Sequence, residues 1–170
     1  VNQAGSYSAI VTTTNGCVDT TSNFTTTIFA DADISVTTSG SLDFCSYDDV
    51  TITAAAGQSY VWSTGDTSQS ITTNQVGSYS FTANTLDGCI DTSAVYTTSI
   101  FADPDTSVVV TQTLFCASDS ALLIAAPGQS YLWSNGDSTQ ATIVNTSGDY
   151  YVTTTTNDGC EGNSDTTSIT

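Results

Sequence analysis

The stretch Tyr60-Val61-Trp62-Ser63-Thr64-Gly65-Asp66 returns 71 positions later as Tyr131-Leu132-Trp133-Ser134-Asn135-Gly136-Asp137. In both copies the chain runs through an indole into a Gly-Asp pair, the pattern of a strand entering a tight turn. Other anchors repeat in the same order, 71 or 72 positions apart. Gly5-Ser6-Tyr7 matches Gly77-Ser78-Tyr79 and Gly148-Asp149-Tyr150, and Ile28-Phe29-Ala30-Asp31 matches Ile100-Phe101-Ala102-Asp103. Gly16-Cys17, Gly88-Cys89 and Gly159-Cys160 form one series, and Phe44-Cys45 with Phe115-Cys116 another. Self-similarity at a fixed period marks an array of structural repeats. Residues 1–31 read as the C-terminal strands of one repeat, 32–102 as a complete repeat, and 103–170 as a third lacking the end of its last strand. The expectation is a segment of a longer array.

Within a repeat the pattern is β throughout: short runs of Val, Ile, Thr, Tyr and Phe punctuated by Gly, Asn, Asp and Ser. Strands are expected at Ile34–Thr38, Leu42–Phe44, Val50–Ala54, Ser59–Ser63, Ser70–Thr73, Ser78–Thr85 and Ile90–Phe101. Asn15-Gly16, Asp87-Gly88 and Asp158-Gly159 sit where the last two strands would meet, and such pairs favour the positive φ of a hairpin turn. About seven strands in ~71 residues, with one Trp on a central strand, predict tandem immunoglobulin-like β-sandwiches. Trp62, Trp133, Tyr60, Tyr131, Tyr79 and Tyr150 are the expected core residues.

Composition narrows the function. The 170 residues carry 17 Asp and Glu, no Lys, Arg or His, and 34 Thr with 24 Ser. A net charge of −17 argues against nucleic acid as a partner, since nothing here neutralises a phosphate. No apolar run approaches the ~20 residues of a membrane-spanning helix, so no membrane insertion is expected in this segment. Imidazole bases, Schiff-base lysines and arginine clamps are all missing, so catalysis is not expected. Asp-Thr-Ser at Asp66, Asp91 and Asp105 lacks the Gly of an aspartic-protease motif. The same charge would oppose lateral aggregation of strand edges.

The five cysteines are locked to the repeat. Without His or a C-x-x-C pair, disulfides in an oxidising, extracellular setting are the natural reading. Two pairings are open. One lies within repeats, Cys45–Cys89 and Cys116–Cys160, leaving Cys17 over. The other is Cys45–Cys160 across the junction, where the last hairpin of one repeat would face the foot of the repeat before it.

The middle repeat reads Phe44-Cys45, four residues, Val50-Thr51-Ile52-x-Ala54, then Tyr60-x-Trp62-Ser63-x-Gly65, then Ile71, Gly77-Ser78-Tyr79-x-Phe81 and Gly88-Cys89. This resembles the Ig-like repeat of very long surface proteins of Bacteroidota, typically exported by the type IX secretion route, over essentially the whole chain. The resemblance implies a cell-surface or secreted stalk, filament or adhesin. Its partners would be neighbouring repeats of the same long chain, with self-association into filaments a further expectation. A spacer or carbohydrate-binding module of a secreted polysaccharide-acting protein is the alternative, with Tyr47 and Tyr96 as candidate aromatic platforms. Tyr47 is matched by Ser118 and Tyr96 by Phe24, so such a site would not recur in each repeat. The resemblance further implies O-glycans on Thr20, Ser120, Ser138 and Thr166, each preceded by Asp, while Asn23 and Asn145 open N-glycosylation sequons. No cofactor is expected except Ca²⁺, for which Asp31, Asp33, Asp103 and Asp105 are the candidate ligands; solvated linker carboxylates are the competing reading, because Ca²⁺ takes about 6–8 oxygens.

Overall fold

The computed structural model describes residues 2–57, 59–114, 116 and 119–170. It is all-β, with many short strands in small sheets and no helix among the described residues, an arrangement consistent with a β-sandwich. Phe115 and Ser118, counterparts of Phe44 and Tyr47, lie outside the described residues.

Residues 1–31 hold β1 (Gly5–Tyr7), β2 (Ile10–Thr12), β3 (Val18–Thr20) and β4 (Phe24–Thr26). The next stretch holds β5 (Val36–Thr38), β6 (Asp43–Phe44), β7 (Val50–Ala54), β8 (Ser59–Trp62), β9 (Ser70–Thr73), β10 (Gly77–Tyr79), β11 (Phe81–Asn84), β12 (Ile90–Thr92) and β13 (Tyr96–Ile100). The last holds β14 (Val108–Val110), β15 (Ala121–Ala125), β16 (Ser130–Trp133), β17 (Ala141–Val144), β18 (Gly148–Tyr150), β19 (Val152–Thr155), β20 (Glu161–Asn163) and β21 (Thr167–Ile169). The chain divides into two compact units: residues 1–37, 53–71 and 79–95, and residues 38–52, 72–78 and 96–170.

The first unit contains the sheets β1–β4, β2–β3 and β12–β11–β8. Here Trp62 is 2% exposed, its ring lies 4.9 Å from that of Phe81, and Tyr60 meets Phe81 edge-on at 6.3 Å. The indole Nε1 donates to Ser68 O at 2.8 Å, so the turn after the strand satisfies the buried donor. The Tyr60 hydroxyl accepts the Gly57 N–H and donates to Ala55 O.

The second unit contains β14–β15–β17, β16–β19–β20 and β18–β21. Alternation along β15 buries Ala121, Leu123 and Ala125, and these pack with Trp133, Val144, Tyr150, Val152 and Ile169 in one core drawn from all three sheets. Trp133 repeats the arrangement of Trp62, its Nε1 donating to Thr139 O at 2.8 Å. Tyr131 is half-buried, unlike its counterpart Tyr60; it packs against this core, and its hydroxyl accepts the Gly128 N–H and donates to Gly128 O. Tyr79 and Tyr150 are 7% and 8% exposed.

Three of the expected strands differ by more than one residue at an end or are broken, each for a physical reason. Asp33 Oδ1 accepts the Ser35 N–H, which holds residues 33–35 in a turn and delays β5 to Val36. The run Ser78–Thr85 breaks at Ser80 into β10 and β11, and Ile90–Phe101 breaks at 93–95 into β12 and β13, because each half joins a different sheet. A hydroxyl holds the crossing: Ser93 Oγ accepts the Phe81 N–H at 3.0 Å and Ser93 N donates to Phe81 O at 2.9 Å. Ser164 does the same with Val152, and Thr21 with Ala9.

The third stretch carries one polar misfit. Thr154 Oγ1 is fully buried without a hydrogen-bond partner, where the equivalent positions hold Ala83 and Val11. Thr154→Val keeps the shape and removes the unpaired hydroxyl, so it should stabilise by about 1 kcal/mol. A melting temperature that stays the same or falls would refute this.

Candidate functional site: a disulfide-stapled contact

Within the second unit, Cys45 and Cys160 form a disulfide, with Cα atoms 5.5 Å apart. The bond joins residues of the second and third sequence repeats. Each cysteine is held by its own local structure. Cys45 follows β6, which pairs parallel with β13 in the register Asp43–Ser99 and Phe44–Ile100, and Phe101 N donates to Phe44 O at 3.0 Å. Phe44 is 6% exposed, anchoring the strand, and Asp48 N closes a turn on Cys45 O at 3.0 Å. Cys160 leaves the hairpin between β19 and β20. Gly159 supplies the turn at φ 87°, Cys160 N donates to Thr156 Oγ1 at 3.1 Å, and Thr156 N donates to Cys160 O at 2.8 Å.

The pairs Cys116–Cys160 and Cys45–Cys89 are therefore not formed, and for the first of them strand register gives a reason. Ala125 ends β15 and the chain reaches Ser130, which pairs with Thr155 beside the hairpin tip that carries Cys160. Cys116 precedes the opposite end of β15, a strand of about 17 Å, whereas a disulfide needs Cα atoms within roughly 7 Å. Cys17, Cys89 and Cys116 are free.

Three further contacts surround the bond. The Tyr47 hydroxyl accepts the Glu161 N–H at 2.8 Å, and Ser46 Oγ donates to Asp103 Oδ1 at 2.7 Å. Gly162 faces the linker so closely that a Cβ there would lie 2.7 Å from Pro104 Cγ and 2.8 Å from Thr106 Cγ2. Gly162→Ala should therefore cost about 1–3 kcal/mol through overpacking. A variant with the wild-type melting temperature would show that the linker yields freely. Sequence reading missed Ser46, Gly162 and Pro104 because none of them recurs: the second repeat has Asp91 in place of Gly162 and Ala32 in place of Pro104. It also missed Thr13, Thr85 and Thr156, which the 71–72 offset could have flagged.

Beside the staple lies an open recess of about 510 Å³, lined among others by Asp43, Tyr47, Asp49, Phe101 and Asp158. Among the described residues no three of His, Cys, Asp and Glu group to hold a metal ion. Of the candidate Ca²⁺ ligands, Asp33 and Asp105 accept the N–H groups of Ser35 and Ser107, and Asp103 accepts the Ser46 hydroxyl. Tyr47 is 59% exposed and committed through its hydroxyl, while Tyr96 is half-buried in β13. Thr20, Ser120, Ser138 and Thr166 are all exposed, as are Asn23 and Asn145.

Asp66 and Asp137 close the turns after the tryptophans. Asp66 accepts the Ser68 hydroxyl and N–H, and Asp137 those of Thr139, which holds both carboxyls below the usual range. Each binds a proton less readily folded than unfolded, so its contribution is present above about pH 4 and disappears as pH falls through the lowered value. Relief of self-repulsion on acidification acts in the opposite direction but is common to wild type and variant. Wild type should thus melt above Asp137→Asn at pH 6, and the gap should shrink toward zero on acidification. A gap that widens toward low pH would refute the assignment.

The chain matches no family model and no curated protein.

Proposed function

We propose that this chain is a segment of tandem Ig-like β-sandwich repeats, divided at residues 1–31, 32–102 and 103–170, from an extracellular stalk, filament or adhesin of the Bacteroidota type, and that it is not an enzyme. The observation that carries the reading is the disulfide that ties Cys45 of one repeat to Cys160 of the next. A bond placed between repeats resists separation of neighbours. Disulfides persist in oxidising compartments, which supports an exported protein. The recurrence of the buried indole, the Asp turn and the Gly-Cys hairpin with the same local bonds supports repeats of one build. In this reading the Thr and Ser hydroxyls solvate strand faces and offer O-glycan sites. The four linker Asp act as turn and linker groups.

The test is a non-reducing digest followed by imaging. Because the chain has no Lys or Arg, chymotrypsin or an Asp-directed protease replaces trypsin. A Cys45–Cys160 crosslink together with a beaded fibre of ~71-residue units on the native surface supports the reading. Specific binding of the isolated chain to a glycan array would favour the carbohydrate-binding alternative.

A further inference from the structure

The sheet β14–β15–β17 carries aliphatic side chains on both of its faces. One face fills the core through Ala121, Leu123, Ala125 and Val144. The other holds Val109, Leu122, Ile124, Ala141 and Ile143, set side by side by the register: Val109 opposite Ile124, Ile124 opposite Ala141, and Leu122 opposite Ile143. Val109 and Ile143 are 65% and 68% exposed, so this face stands open to solvent. An antiparallel sheet with one solvated face alternates apolar and polar residues, whereas a continuous apolar run such as Ala121–Ala125 belongs to a strand covered on both sides. The preceding repeat shows the same positions suited to water. By the 71–72 offset the five counterparts are Thr37, Thr51, Thr53, Ser70 and Thr72, every one a hydroxyl. Four of them bond in pairs, Thr51 with Thr72 at 2.8 Å and Ser70 with Thr53 at 3.0 Å.

We propose that the outer face of β14–β15–β17 packs against the same face of a second copy of this chain, sheet on sheet in a two-fold contact. Charge selects this face. Its five positions are uncharged in a chain of net charge −17, whereas the outer faces of β16–β19–β20 and β18–β21 carry Glu161 and Asp149. Two copies therefore meet here without setting carboxylate against carboxylate; Asp105 and Asp119 stand ahead of β14 and β15, where salt screens them. These side chains offer no charge and no hydrogen bond with which to recognise a foreign partner, and a flat aliphatic face complements another of its own kind. Area sets the strength. Three strands about 4.8 Å apart and about 17 Å long present roughly 250 Å² in projection. Doubled for side-chain relief and counted on both copies, the contact stays below the about 1,200 Å² of stable interfaces, so the pair is weak and exchanging.

The experiment is sedimentation equilibrium of the 170-residue chain, with the free thiols Cys17, Cys89 and Cys116 blocked by iodoacetamide so that no interchain disulfide contributes. Concentration runs from about 10 µM to about 1 mM, the range of a weak interface. The expected result is an apparent mass that climbs toward two chains. The climb is steeper at about 1 M than at about 0.15 M salt, because the Debye length falls from about 8 to about 3 Å. Val109→Thr combined with Ile143→Thr copies Thr37 and Thr72 of the preceding repeat at two exposed positions, and should weaken association at least about tenfold with the melting temperature kept. Leu132→Thr, exposed on β16, leaves association unchanged. Methyl NMR of the wild type over the same range reads the face without any substitution: concentration-dependent shifts gather at Val109, Leu122, Ile124 and Ile143. A chain that stays monomeric throughout leaves the face to a different partner and overturns the proposal. Association that the double variant does not weaken, that Leu132→Thr weakens equally, or that shifts methyls elsewhere overturns it too.

Discussion

Cys45→Ser, or reduction of the wild type, should lower the stability of the second unit by about 4 kcal/mol. The cysteines are 115 positions apart, and loop-closure entropy grows only logarithmically with loop length. For a closed loop of that length the expected loss is about 4 kcal/mol. For a unit of this size that corresponds to a fall in melting temperature on the order of 20 °C. The buried position of both cysteines, 6% and 0% exposed, adds a packing loss in the same direction. Thermal melts with and without reductant, with the Cys45–Cys160 crosslink mapped first, read the effect directly. Equal melting temperatures in the two conditions would mean that the bond adds no constraint.

Trp133→Ala should be comparably damaging for a different reason. The indole is 1% exposed at the centre of the cluster formed by Leu123, Val144, Val152 and Ile169, so its removal leaves a void that a close-packed core fills only in part. Large-to-small changes of this type cost about 3–5 kcal/mol, and Thr139 O loses its indole donor as well. A unit of about 100 residues has little stability in reserve, so the strands around this core should be largely unfolded at room temperature. Trp133→Phe should recover part of the loss. Amide exchange over β15, β16 and β19 measures it, and full protection of those strands in Trp133→Ala would show that the indole is not what fills the core.

Both effects bear on how far residues alone could be read. The tryptophans were legible because each sits in a repeated strand-turn segment, and the Gly-Cys hairpins because Asn-Gly and Asp-Gly demand positive φ. The breaks at Ser80 and 93–95 were not. A run of β-formers looks continuous, and only the serine hydroxyl spliced into the ladder reveals that the strand changes sheets. Thr154 was hidden for a similar reason, since Thr suits exposed strand faces and nothing local marks one as buried. Disulfide pairing lay beyond one-dimensional spacing, because strand register decides which end of β15 each cysteine occupies. Tyr131 shows the limit of analogy between repeats: the same motif that buries Tyr60 leaves it half-covered.

The staple also changes how the chain bears tension. Pulled at its two ends, the polypeptide carries load along the backbone to Cys45, through the sulfur bridge, and onward from Cys160. Everything from Ser46 to Gly159 lies in a covalent bypass loop off that route. At roughly 3.5 Å per residue, nearly 400 Å of contour length is withheld. The strands from β7 to β19 lie in that loop and could lose their pairing while the tether lengthened hardly at all.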